Sequence, residues 1–205
     1  MRSYPGKRLL DLALVVVLVP AWLPLFAIIA LLVRVRIGSP VFFRQMRPGL
    51  HGRSFALLKF RTMREPMVKC GQQLSDAERL TLFGQTLRAS SLDELPELLC
   101  VLRGEMSLVG PRPLLPQYLD RYSAWHRRRH EVPPGLTGLA QVSGRNALSW
   151  AERFDLDVRY VDECSLALDA RILFATIRTV LRREGISAPG EVTMSEFTGY
   201  ESPPI

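Results

Sequence analysis

A chain of 205 residues, 47% of them apolar, is long enough for one domain with a real core. Its 27 lysines and arginines against 20 acids leave a net charge of +7, which calls for an acidic partner: nucleic acid, anionic lipid headgroups or a phosphorylated substrate. Three scattered cysteines, Cys70, Cys100 and Cys164, form no CxxC pair, so neither a disulfide framework nor a zinc site is indicated, and a reducing compartment is expected.

From Leu12 to Val33 no residue carries a formal charge, which is long enough for a helix of ~20 residues to span a bilayer. Pro20 and Pro24 interrupt the run, and each removes a helix hydrogen bond. Basic residues flank both ends, Arg2, Lys7 and Arg8 before and Arg34 and Arg36 after, and the positive-inside tendency keeps both clusters cytoplasmic. A helix broken at Pro20 to Pro24, with halves of roughly 11 residues and ~16 Å, reaches the midplane and returns. This re-entrant hairpin is the preferred reading over a straight span. A cleaved signal peptide fits poorly, because no small-residue cleavage site follows the run.

Gly38-Ser-Pro40 ends the apolar segment. Val41-Phe-Phe43, the turn Arg47-Pro-Gly49 and Phe55 to Met63 then read as a small hairpin that carries Lys59. Asp76 to Leu87 has helical spacing at Leu80, Phe83 and Leu87 and leads into Arg88. In Arg88-Ala-Ser-Ser-Leu-Asp-Glu-Leu-Pro-Glu-Leu-Leu-Cys100 the serines offer a helix N-cap and place Asp93 and Glu94 in the first turn, where the dipole favours negative charge. Adjacent carboxylates can hold a hard divalent cation, or one can act as nucleophile while the other holds the metal; the plain alternative is an ordinary acidic turn. Glu97 to Leu102 continues as helix to a stop at Arg103-Gly104.

Met106 to Pro113 is an apolar run ending in a rigid turn. Pro111 and Pro113 fix the backbone around Arg112, whose bidentate fork suits a phosphate oxygen as well as a surface ion pair. With Lys59, Arg88 and Arg145 it makes four cations suited to a diphosphate. Leu114 to His130 reads as a helix with Tyr118, Leu119, Tyr122 and Trp125 on its apolar face. The charge run His126-Arg-Arg-Arg-His130 at its end suits an anionic membrane surface better than a metal. Val132 to Asn146 is a Gly-rich loop with two extended pieces, and without a lysine-serine ending it is no P-loop. Trp150 to Val161 is a helix on which Asp155 and Asp157, with Asp162 after them, read as surface acids. Asp169 to Glu184 is a basic amphipathic helix, with Ile172, Leu173, Ile177, Val180 and Leu181 on one side and Arg171, Arg178, Arg182 and Arg183 elsewhere, suited to a membrane surface or to the core.

The expected fold is mainly α with a small β-hairpin and short strands (α+β): a re-entrant membrane helix-break-helix over 1–38, a compact cytoplasmic catalytic domain with interfacial amphipathic helices over 39–186, and an irregular tail over 187–205. Five ordered motifs, Lys59-Phe-Arg-Thr-Met63, Ser91-Leu-Asp-Glu-Leu-Pro-Glu-Leu98, Val109-Gly-Pro-Arg-Pro113, Pro134-Gly-Leu-Thr-Gly-Leu-Ala-Gln-Val142 and Gly144-Arg-Asn146, make the chain resemble the bacterial sugar transferase family, and within it the small monotopic phosphoglycosyl transferases of the PglC type. The resemblance implies transfer of a sugar-1-phosphate from a UDP-sugar to polyprenyl (undecaprenyl) phosphate at the cytoplasmic face of the bacterial inner membrane, with Mg²⁺ and release of UMP. It implies Asp93 as nucleophile, Glu94 assisting with the metal, and Lys59, Arg88, Arg112, Gln141, Arg145 and Asn146 binding phosphate and substrate. Membrane lipids are implied partners, nucleic acid is not, and a homodimer stays open. One departure is Leu23-Pro24 where the family commonly breaks its hairpin at Ser-Pro. Two other functions remain open: direct transfer in a ternary complex with Asp93 as base, and a non-enzymatic anchored protein that binds nucleic acid or anionic lipid.

Overall fold

The structure is a computed structural model describing residues 3–65, 68–69, 72–73, 75–144, 148–182 and 196–199. Helix α1 (Lys7–Val17) is followed, across Leu18, by α2 (Val19–Arg36). The interruption falls at Leu18, not between Pro20 and Pro24 as the sequence suggests, so the pieces are 11 and 18 residues long, ~16 and ~27 Å. Proline explains the displacement, since its ring clashes with the carbonyl four residues back and restricts the residue before it. Pro20 therefore acts upstream while itself sitting in the first turn of α2, and Pro24 is accommodated inside that helix. The Trp22 indole N–H donates across the break to the Val15 carbonyl at 2.9 Å.

The spacing i, i+4, i+8 puts Lys7, Asp11 and Val15 on one buried stripe of α1. Lys7 Nζ lies 2.5 Å from Asp169 Oδ2, Ser107 Oγ donates to Asp11 at 2.7 Å, and Arg8 donates to the carbonyls of Val101 and Leu102. Helix α2 is the one helix among the described residues long and apolar enough to cross a membrane. Only Ile29 and Val33 of it are buried, against Phe60 and Leu87, while Leu23, Ile28, Leu31 and Val35 are exposed.

Strands β1 (Phe42–Pro48) and β2 (Ser54–Phe60) form the expected antiparallel hairpin, with Phe43 opposite Lys59. After the short pair β3 (Val68–Lys69) and β4 (Gln72–Gln73), the single helix expected over 76–87 is two: α3 (Asp76–Arg79) and α4 (Leu82–Ala89). Leu80 leaves the helix to bridge Met63, and the Thr81 hydroxyl caps Gly84 N–H at 2.9 Å, restarting it. Helix α5 (Glu97–Arg103) stops at Gly104, whose φ of 86° is left-handed. Strand β5 (Ser107–Val109) pairs in parallel with β6 (Gly135–Thr137).

The helix expected over 114–130 is instead a 3₁₀ turn (Pro116–Arg121), the short α6 (Ala124–Arg127) and a second 3₁₀ turn (Arg128–Glu131). Tyr122 and Ser123 are extended, and the Ser123 hydroxyl caps α6. The Gly-rich loop also contains a helix, α7 (Leu139–Ser143), before α8 (Trp150–Glu163) and α9 (Leu166–Arg182) complete the domain. Phe197, from the segment read as irregular, packs among Tyr118, Tyr122 and Phe154.

Helix α4 reaches its position only because Gly84 lies against the backbone of Thr62: a Cβ there would sit 1.9 Å from the Thr62 carbonyl oxygen. Gly84→Ala must push α4 off the β2 extension, and overpacking of this kind costs about 2–3 kcal/mol. Denaturant unfolding in detergent checks this, and an unchanged midpoint would show that the two backbones are not in contact.

Candidate active site

Lys59 leaves β2 toward the turn that carries the acidic pair, and its Nζ donates to Glu94 Oε1 at 2.6 Å. Arg112, in the loop after β5, donates to the same oxygen and lies 3.4 Å from Oε2. One carboxylate thus binds two cations brought from residues 35 and 18 positions away. Lys59 also stands 3.3 Å from Glu97 Oε1, a buried atom with no other partner among the described residues. Asp93 is 9% exposed and, among the described residues, makes no side-chain hydrogen bond.

The acids are presented by a 3₁₀ turn, Leu92–Glu94, rather than by a capped α-helix. Ser91 adopts left-handed backbone with φ 56° and caps nothing, while Ser90 Oγ donates back to the Thr86 carbonyl at 2.9 Å. Arg88, at the end of α4, donates through Nε to Thr62 Oγ1 at 3.0 Å.

The electrostatics separate the two neighbours. Burial pushes the Asp93 carboxyl up to about 6, the Glu94 charge adds to this, and Lys59, Arg112 and Arg88 oppose it. Burial alone would also raise Glu94, but the charges and hydrogen bonds of Arg112 and Lys59 outweigh it and hold the group well below the usual carboxylate range. Glu97 is raised by burial and by the Glu94 charge, with Lys59 only partly offsetting them.

Beside the pair opens a cavity of about 460 Å³. Of the residues expected from sequence, Arg88, Glu94, Arg112 and Gln141 line it; Asp93 and Lys59 are not among its lining residues. The Gln141 amide is tied to the Leu136 carbonyl at 2.9 Å. Arg145 and Asn146 lie outside the described residues. Three charged lining residues were not anticipated as site residues: Arg129, Arg153 and Asp157. Leucines 95, 98, 108, 136 and 173 give the cavity an apolar side.

Arg129 and Asp157 correct the sequence reading. The charge run of residues 126–130 is not wholly lipid-facing or solvated, because Arg129 is 2% exposed and bonds Asp157, itself 2% exposed, at 2.7 Å. Asp155 and Asp162 do stay at the surface, against His126 and Arg128. The two histidines do not converge: His126 faces Asp155, while His130 faces the Gly49 carbonyl and is pushed down to about 4 by burial and by Arg129. Among the described residues no group of three or more metal-binding side chains occurs.

Comparison with known proteins gives a consistent set of relatives. The chain matches the bacterial sugar transferase family over residues 2–183. It is 52% identical over 193 residues to an uncharacterized sugar transferase, EpsL, of Bacillus subtilis (strain 168), covering 94% of this chain and 96% of that protein. It is 39% identical over 197 residues to the exopolysaccharide production protein ExoY of Rhizobium meliloti (strain 1021), covering 88% and 87%. It is also 42% identical over 185 residues to the UDP-glucose:undecaprenyl-phosphate glucose-1-phosphate transferase of Caulobacter vibrioides, covering 85% and 69%.

A carboxyl that titrates near 6 in the fold binds more protons there than in the unfolded chain between about pH 4 and pH 6. Its ionisation therefore destabilises the fold progressively as pH rises through that window, by about 3 kcal/mol once the window is passed. Asp93→Asn removes the charge, so the variant should be more stable than wild type at pH 7.5, and the gain should shrink toward zero by pH 4. Melting curves across this range decide it, and a variant less stable at pH 7.5 would mean that Asp93 has a strong partner.

Proposed function

The chain belongs to the bacterial sugar transferase family, and from that premise we propose that it transfers a sugar-1-phosphate from a UDP-sugar to a polyprenyl phosphate, releasing UMP, with Asp93 as the nucleophile. The observation that carries this reading is the division within the dyad. Glu94 is held by Lys59 and Arg112, whereas Asp93 beside it, pushed up to about 6, makes no side-chain hydrogen bond among the described residues. Arg88 and Arg112 on the cavity wall suit a diphosphate. Relatives named as glucose-1-phosphate transferases to undecaprenyl phosphate point to the same substrate classes.

In the first step an Asp93 carboxylate oxygen attacks the β-phosphorus of the donor, the bond to the bridging oxygen breaks, and UMP departs with that electron pair. In the second, an oxygen of the lipid phosphate attacks the same phosphorus and the Asp93 carboxylate leaves. Lys59 and Arg112 would offset charge on the transferred group. A donor dissolved in water and an acceptor held in lipid then need not occupy the site together.

Magnesium suits this donor set as an ion shared with the substrate. Glu94 is taken up by Lys59 and Arg112, so Asp93 and the diphosphate would hold it, with Glu94 contributing only where Lys59 or Arg112 gives way. When bound, the ion supplies neutralisation of the diphosphate charge.

The apolar helices fit a re-entrant hairpin with the catalytic domain on the cytoplasmic face. Both of its ends touch the same globular unit, Lys7 at Asp169 and Val33 against Phe60 and Leu87. A straight rod of this length would hold those points some 40 Å apart. Membrane lipids would then surround the exposed leucines and isoleucines of α2.

Two experiments test the reading. Enzyme incubated with a panel of UDP-sugars and Mg²⁺ but no lipid acceptor should, with its own donor, release about one equivalent of UMP and gain the mass of a sugar phosphate, and Asp93→Asn should do neither. UMP release that waits for the acceptor would select direct transfer in a ternary complex. In a background cleared of native cysteines, Ser3→Cys and Ser39→Cys should both be labelled only from the cytoplasmic side; opposite sides would establish a straight span.

A further inference from the structure

Arg129 lines the cavity, but its charge is already matched within the fold. Its Nε and Nη2 donate to Asp157 Oδ2 at 3.0 and 2.7 Å, and Nη1 donates to the Tyr122 hydroxyl at 3.0 Å. Nη2 donates in addition to the backbone carbonyl of Arg112 at 2.7 Å. That last bond has an unusual importance because of the local sequence. Pro111 and Pro113 have no N–H, so residues 111–113 have one backbone donor between them, on Arg112. The segment is held by donors that reach its carbonyls: Gly135 N–H bonds the Pro111 carbonyl at 3.0 Å, and the Arg129 guanidinium bonds the next one. The first clamp is backbone, from the first residue of β6; the second is a side chain.

We propose that Arg129 is a positioning residue for the transfer reaction: it holds the Arg112 main chain so that the Arg112 side chain reaches Glu94, and Asp157 and Tyr122 set its own orientation. A planar fork is needed for this, since its nitrogens serve a carboxylate, a phenol and a carbonyl in different directions. A lysine ammonium at the same place could keep the ion pair with Asp157 while losing the carbonyl. Arg129 thus acts on substrate only through Arg112. The inference rests on the transferase reading for what the alignment is used for, but not for the alignment itself.

The test compares Arg129→Lys and Asp157→Asn, each alone and combined with Arg112→Met, with folding checked by melting curves. Each single change should lower kcat/KM for UMP release at least 10-fold, and in the Arg112→Met background the further loss should be under 3-fold, since the element being positioned is gone. Losses that multiply to the same factor in both backgrounds would overturn the proposal and make Arg129 an independent contact. A second readout needs no turnover: the ¹⁵N–¹H signal of the Arg112 guanidinium, assigned by its absence in Arg112→Met, should shift in Arg129→Lys. An unmoved signal overturns the proposal even in an active enzyme. A shifted signal in a wild-type protein that releases no UMP would uphold the alignment and remove the transferase reading instead.

Discussion

The contact on which the site depends is the Glu94 carboxylate held between Lys59 and Arg112. Its three members come from a strand, a 3₁₀ turn and a proline-flanked loop, so each must be delivered to the same point by a separate piece of folding. The β1–β2 register aims Lys59, the close approach at Gly84 brings the turn after α4 against the end of β2, and the β5–β6 pairing places the loop. A buried carboxylate that lost either cation would be left with charge it could not solvate, a change that costs several kcal/mol where it has been measured. The triad is therefore both an outcome of the fold and a reason for it to be unique.

The N-terminal helices are joined to the same machinery. Asp11 of α1 accepts from Ser107 Oγ and from Leu108 N–H, and both donors belong to β5, five and four residues ahead of Arg112. The Tyr160 hydroxyl lies 2.8 Å from Asp169 Oδ1 and 3.0 Å from the Val109 carbonyl, and Asp169 also binds Lys7. The charged residues at the start of α1 are thus spent inside the protein rather than at a lipid surface. Helix α1 is docked to the domain by buried polar bonds, to Asp169 and to the strand that leads to the cation loop.

Much of this was legible in the sequence, and the misreadings have a common cause. The hairpin bearing Lys59, the stop at Gly104 and the rigid loop at Arg112 depend on local rules, and they stand where those rules put them. Arg129 and Asp157 were read as surface charges because their partnership spans 28 positions and three arginines in a row look alike to any local rule. What could have singled out Asp157 is spacing: it stands three and four residues from Phe154 and Val161, on the buried face of α8. The helix expected over 114–130 failed for a related reason. Its apolar spacing was real, since Tyr118 and Tyr122 are buried, but the Ser123 cap restarts the chain in a new direction. The membrane break shifted to Leu18 because proline strains the turn before it rather than its own.

The 3₁₀ turn at the dyad explains why two adjacent carboxylates need not behave alike. With three residues per turn, successive side chains point about 120° apart, whereas residues three apart fall on one side. Glu94 pairs with Lys59, as does Glu97 from the start of α5, whereas Asp93 forms no ion pair with it among the described residues. One side of the turn is then occupied by a fixed ion-pair network, while the remaining carboxylate feels the field of those cations without being bonded to them. This is a useful state for a nucleophile. Direct hydrogen bonds would stabilise the anion and dull it, whereas cations at a distance keep it ionised near neutral pH and leave its lone pairs available. The same geometry assigns the work asymmetrically: the residue best held by the protein is the one least able to react, and the one left unheld is the candidate for bond formation.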